Sequence, residues 1–170
     1  MIHSSTKAIL EVLMLPRVGV KTLQKVIDAC DRNGIEVNRE SLAQSLCDQS
    51  PNFSALYETG EARNIFDSTE RLIEKMRDQN IKIVSPLEQG YPMMLKAIRD
   101  YPPILYVKSN NDEWLKMPKW AVVGTRKPSE AGKLFAYDIA QKLTEKGVAV
   151  VSGLALGIDS DAHLGSLKAS

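Results

Sequence analysis

The sequence predicts an α/β protein in which a small all-helical module precedes a mostly parallel sheet, and three observations predict it. Apolar residues recur at helical spacing across residues 1–70. From Ile81 onward, short β-branched runs alternate with helical stretches. Glycine-containing loops follow the last two of those runs. The 170 residues are 44% hydrophobic and 25% charged, the balance of an ordinary globular protein, and this excludes disorder, collagen and coiled coil.

In the front module, Ile9, Leu10, Leu13 and Met14 share one helical face. After the break LPRVGV, Leu23, Val26 and Ile27 share another, so two amphipathic helices meet at a tight turn. Ser41 before LAQSLC and Ser54 before ALYETGEARNIF read as N-caps, with Gly60 an interruption in the second helix. A further helix from about Ser68 to Gln79 puts Leu72, Ile73 and Met76 on one side.

Beyond it, IKIVS (81–85), ILYVK (104–108), WAVVG (120–124) and VAVVSG (148–153) read as buried strands. MMLKAIRD, EAGKLFAYDIAQKLTEKG and DSDAHLGSLKA supply the intervening and final helices, a pattern that argues for one largely parallel sheet over 71–170. In the long helix, Ser129 is the expected cap, Leu134, Phe135, Ile139 and Leu143 the expected buried stripe, and Gly147 the stop. Trp120, Phe135 and Tyr137 read as core. The Pro-rich steps at 91–92 and 101–103 end helices and set the start of the second strand.

Charge nearly cancels, with 22 Lys and Arg against 21 Asp and Glu, so a polyanion would have to be held by a local patch. Cys30 and Cys47 lie in helical stretches and read as reduced packing residues. Glu11 interrupts the apolar run after Lys7, which argues against a secretory signal, and no segment has the length of a membrane span. The expectation is a soluble cytoplasmic protein.

Chemistry concentrates in the unit 120–167. A strand–helix–strand crossover is right-handed in nearly every case, so the loops GTRKPS and SGLALGID leave the same sheet edge and lie side by side. Gly124, Gly153 and Gly157 let backbone N–H groups approach an anion, and Arg126 adds a planar permanent charge. From Lys116 to Lys133 five cations face one anion, Glu130. Glycine loops after strands also serve as plain turns, and spacing alone leaves both readings open.

Neither standard nucleotide fingerprint fits. The interval from Gly124 to Gly132 is too long for a P-loop, Leu134 stands where Ser or Thr would hold Mg²⁺, and Gly153 and Gly157 are spaced GxxxG. Asp159, Asp161 and His163 could suggest a metal site, but alternating positions at a helix start diverge, and Asp159 reads as a cap. Ser152 with His163 lacks a nucleophile elbow. Catalytic residues, metal and cofactor are therefore expected to be none.

Three segments carry a more specific signal. YPMMLKAIRDYPPILYVKSN (91–110), VVGTRKPSEAG (122–132) and VVSGLALGIDSDAHLGSL (150–167) resemble, in order and separation, consecutive signatures of the DNA-processing protein A (DprA/Smf) family. The front module is similar to that family's SAM-like, helix-hairpin-helix-containing domain. The resemblance implies an extended Rossmann-like fold, of which 71–170 would be the N-terminal half. It also implies sequence-independent binding and protection of single-stranded DNA, help in loading RecA during natural transformation, and a homodimer in the full-length protein.

Carried over by position, Gly124, Thr125 and Arg126 match the G-[ST]-R loop whose arginine reaches phosphate, with Lys127 beside it. Ser129 matches the hydroxyl that begins the helix. Ser152, Gly153, Gly157 and Asp159 match the SGxAxGID loop, Asp159 as an ordering residue, and His163 matches the histidine of its AH pair. The alternative reading is a Rossmann-like module that binds or processes a small nucleotide.

Two departures stand out. Arg17 occupies the place of the first hairpin glycine, and the chain stops at Ser170 with about half of the family's core. A longer natural protein is the expectation, with a sheet edge and helix-facing apolar surface uncovered here.

Overall fold

A computed structural model describes residues 2–49 and 60–169. The chain divides into two compact units, Met1–Asn110 and Asn111–Ser170.

The first unit opens with α1 (Ser4–Leu13), α2 (Val20–Arg32), α3 (Arg39–Gln49) and α4 (Gly60–Asp78). Their apolar faces converge: Ile9, Leu10, Leu23, Val26, Ile27 and Leu42 are all but inaccessible to solvent. Within LPRVGV, Arg17 takes φ 69, so the turn keeps a left-handed residue even though glycine is absent there. The cap of α3 is Asn38, not Ser41. Asn38 Oδ1 accepts from Ser41 N at 2.9 Å and Ser41 Oγ accepts from Asn38 N at 3.0 Å, a reciprocal box that moves the helix start ahead of the expected position. The expected cap Ser54 lies outside the described residues.

The helices are cross-linked by polar contacts. Glu11, 1% exposed, is satisfied by Arg39 through a bidentate pair at 2.8 and 2.5 Å, and that guanidinium also lies 4.3 Å from the Phe66 ring centre. Thr6 Oγ1 on α1 lies 2.8 Å from Ser85 Oγ, and Tyr101 Oη donates to Asp28 Oδ1 on α2 at 2.7 Å. These bonds fasten the helices to the segment that holds β1 (Lys82–Val84), the one-turn α5 (Met93–Lys96) and β2 (Leu105–Val107).

The strand runs are where the sequence puts them, but the first two do not run parallel to each other. β1 pairs antiparallel with β2, Ile83 opposite Tyr106. The only helix between them has four residues, about 6 Å of rise, too short to carry the chain back to the starting end of the sheet as a parallel crossover requires.

The second unit holds β3 (Lys119–Ala121), α6 (Glu130–Glu145), β4 (Ala149–Val151) and α7 (Ile158–Lys168), after a short 3₁₀ turn over Glu113–Leu115. β3 and β4 are parallel, Trp120 opposite Val150, and α6 is their crossover. This is the expected strand–helix–strand unit. Val122 N extends the pairing to Val151 O at 3.0 Å.

The expected stripe of α6 is corrected: Leu134 and Phe135 are 65% and 68% exposed, Ile139 and Leu143 are half-buried, and the buried positions are Ala136 and Ala140. Small residues are buried because α6 and α7 pack against each other at close range. A Cβ on Gly165 of α7 would lie 2.1 Å from the Tyr137 carbonyl oxygen. Trp120, expected in the core, is 59% exposed, so apolar surface is indeed uncovered in this unit.

Candidate functional site

The two glycine loops of the second unit meet directly. Ile158 N, the first residue of α7, donates to Thr125 O of the first loop at 3.2 Å. Gly157 sits at φ 88, and a Cβ there would fall 2.4 Å from Thr125 O and 2.9 Å from the Arg126 carbonyl carbon. Gly124 is equally constrained, since a Cβ would lie 2.7 Å from the Ile158 side chain. Only glycine at 124 and 157 lets the backbones close to this distance.

Asp159 ties the loops together. Its Oδ1 accepts from Gly124 N at 3.2 Å and its Oδ2 from Gly153 N at 3.1 Å, with the side chain almost fully buried. The expected helix cap is therefore corrected: Gly157 is the N-cap of α7, and Asp159, inside the first turn, reaches across to both loops. Burial pushes its carboxyl upward, but backbone N–H groups of Gly124, Gly153 and Ala155 outweigh that and hold it below the usual carboxylate range. The Ser152 hydroxyl also helps to hold the carboxyl low, and it lies 2.7 Å from Val122 O, closing the strands beyond their ladder.

The first loop turns its polar groups outward. Thr125 Oγ1 accepts from Lys127 N at 3.2 Å, and Ser129 Oγ accepts from Gly132 N at 3.2 Å as the expected cap of α6, which leaves the Ser129 hydroxyl proton for an incoming acceptor. Arg126 and Lys127 are exposed and their side chains have no hydrogen-bond or ion-pair partner among the described residues.

The rest of the expected basic cluster is partly engaged. Lys133 pairs with Glu130 at 2.7 Å, and Lys119 Nζ donates to the carbonyls of Leu115 and Met117 at 3.0 and 2.8 Å. His163 is half-buried on α7. A cavity of about 520 Å³ lies elsewhere, in the first unit, lined by Ile73, Arg77, Lys82, Val84 and Asn110 among others, and holds none of these residues.

The structure thus brings Gly124, Thr125, Gly157, Ile158 and Asp159 into one cluster, with Ser152 and Gly153 on its strand side and Arg126, Lys127 and Ser129 along its outer edge. The sequence marks Asp159 as ordering its own loop, as its bond to Gly153 does, but not its reach to Gly124, which lies 35 residues away with no local pattern to mark it.

The family model for DNA recombination-mediator protein A matches residues 82–170, more than half of the chain. The chain is 34% identical over 109 residues to DNA processing protein DprA of Bacillus subtilis, covering 64% of this chain and 37% of that protein. It is 42% identical over 90 residues to DNA processing protein DprA of Streptococcus pneumoniae, covering 53% of this chain and 31% of the relative. Protein Smf of Synechocystis is 35% identical over 101 residues, covering 58% of this chain and 25% of its own length.

The chain therefore aligns with between a quarter and about two-fifths of these relatives. The X-ray structure of DNA processing protein A from Streptococcus pneumoniae superposes with a TM-score of 0.65 at 25% identity, over 99% of this chain and 56% of that one. By the matched model and the shared fold, the chain belongs to the DNA recombination-mediator protein A (DprA/Smf) family.

Proposed function

We propose that this chain binds single-stranded DNA without regard to sequence and without catalysis, and that it serves in protecting incoming strands and loading RecA in transformation or recombination. A cytoplasmic location and a homodimeric full-length protein follow from the same reading. The observation that carries it is the exposed Arg126 and Lys127 edge held against the second glycine loop by the Thr125–Ile158 bond and the Asp159 bridge. The relatives' names, which speak of DNA processing and recombination mediation, point the same way.

In this reading Arg126 fixes a phosphate oxygen with its forked N–H groups, Lys127 neutralises the same or the next phosphate, and the Thr125 and Ser129 hydroxyls orient the strand. Gly124, Gly153 and Gly157 contribute by letting the loops close, and Ser152 by joining the strands beneath them. Asp159 joins the two loops, and His163 is structural. Phosphate contacts carry no base information, so binding is indifferent to sequence and falls with salt.

A filter-binding titration of parent and Arg126→Ala against an oligothymidylate at several salt concentrations tests this. Loss of one charge-assisted phosphate contact lowers affinity by about tenfold and makes the log–log salt slope shallower by roughly 0.7. Equal affinity and equal slope would remove Arg126 from the site.

A further inference from the structure

The loops of this site hold an anion already, and it is part of the chain. In sheets of this kind, backbone N–H groups at the strand-to-helix turns seat a compact phosphate or pyrophosphate. Here Gly124 N and Gly153 N, one from each loop, converge on the two oxygens of Asp159 at 3.2 and 3.1 Å. The carboxylate takes the place that two phosphate oxygens would occupy between those donors.

Its surroundings are full. A Cβ on Gly153 would stand 3.0 Å from Oδ2, a Cβ on Gly124 would strike Ile158, and one on Gly157 would strike the Thr125 carbonyl. Asp159 itself is only 6% exposed. A second anion at this depth would meet both a steric wall and a negative charge. The cations that could attract it, Arg126 and Lys127, stand outside in solvent.

We propose that Asp159 is a specificity-determining residue: its carboxylate fills the cradle between the two loops as an internal anion, bars free pyrophosphate and nucleotides, and leaves the outer edge of Arg126, Lys127 and Ser129 for a phosphodiester strand. The inference rests on the anion-binding reading above and refines which anion is accepted. A free nucleotide meets the edge at one point and gains little. A strand lays successive phosphates along it and adds their contributions.

The test uses the full chain with three probes: an oligothymidylate, inorganic pyrophosphate and ADP, at constant ionic strength. The parent binds the oligonucleotide and shows no saturable binding of pyrophosphate or ADP by calorimetry. Asp159→Ala frees both N–H groups and the space of the carboxylate. Asp159→Ser does the same while keeping an acceptor for one N–H, so it retains loop closure if the alanine variant folds poorly.

Both variants are expected to gain saturable pyrophosphate binding, about tenfold or more tighter than any residual binding by the parent, and a melting temperature that rises with pyrophosphate where the parent's does not. Saturable pyrophosphate binding by the parent overturns the proposal, as does a folded variant that gains none. Failure of the parent to bind the oligonucleotide overturns the DNA reading instead, and is scored separately from the variants' response to pyrophosphate.

Discussion

Tyr101 shows how much one side chain can join. Its hydroxyl donates to Asp28 on α2 at 2.7 Å, while its carbonyl oxygen accepts from the Gln24 side chain of the same helix. Burial, then the bond to Asp28 and the negative charges nearby, push its phenol well above the ordinary value near 10. A proton held more tightly in the folded than in the unfolded chain stabilises the fold at neutral pH, and that stabilisation erodes as pH climbs past about 10, where the unfolded chain begins to release it. Urea midpoints measured from pH 7 to 11 should therefore fall at the alkaline end. Tyr101→Phe should cost about 1 kcal/mol at pH 7 and show a flatter alkaline decline, with part of the remainder owed to Tyr91 and Tyr106, whose phenols burial also raises. Parallel pH profiles for parent and variant would show that Tyr101 contributes nothing to it. None of this was legible in the sequence, which presents Tyr101 only as the residue before two prolines. The same holds for the bond from Gly124 to Asp159, which is set by the meeting of two loops. Arg126 and Ser129 were legible, because a loop between a β-branched run and a helical run announces both its charge and its cap.

At the scale of the elements, residue type proved a better guide than residue size. The four strand runs were readable because Val, Ile and aromatic clusters between turn residues have few other uses, but strand direction depends on what the connection can span, and the 85–104 segment looked more helical than it is. The α6 stripe was misread for a related reason: periodicity picks out Leu134 and Phe135, whereas the α6–α7 contact is made by Ala136, Ala140, Ala162 and Gly165, whose small side chains leave room for backbone to approach backbone. Gly165→Ala tests that packing. The added methyl would lie 2.1 Å from the Tyr137 carbonyl oxygen, which belongs to a helix backbone and has no rotamer to escape into. Overpacking of this kind costs about 1–3 kcal/mol, and because α7 carries Asp159 it should also loosen the glycine loops. The expected result is a lower melting temperature together with weaker oligonucleotide binding. An unchanged melting temperature would mean that the two helices do not hold this distance in solution.

For the molecule as a whole, the decisive feature is that its two units are cored so unequally. Among the described residues, all but three of the buried apolar ones belong to the first unit, where α1, α2 and α3 interlock and polar bonds from Thr6 and Tyr101 bind the helices to the strand segment. The second unit buries Ala136, Ala140 and Ala162 and leaves Trp120, Val123, Leu154, Leu156, Leu164 and Leu167 in solvent. Burial of apolar area is the main favourable contribution to folding, so local opening should be far easier in the second unit than in the first. The unit that carries the proposed DNA site is thus also the one with least of its own stability. Hydrogen exchange followed by mass spectrometry should show peptides from 111–169 exchanging well ahead of those from α1 and α2. Addition of an oligonucleotide should slow exchange in the GTRKPS and SGLALGID loops while leaving α1 unchanged, because binding to the folded form alone raises the cost of opening it. Uniform protection across both units would show that the exposed apolar residues of the second unit are covered in solution and that its stability does not depend on the ligand.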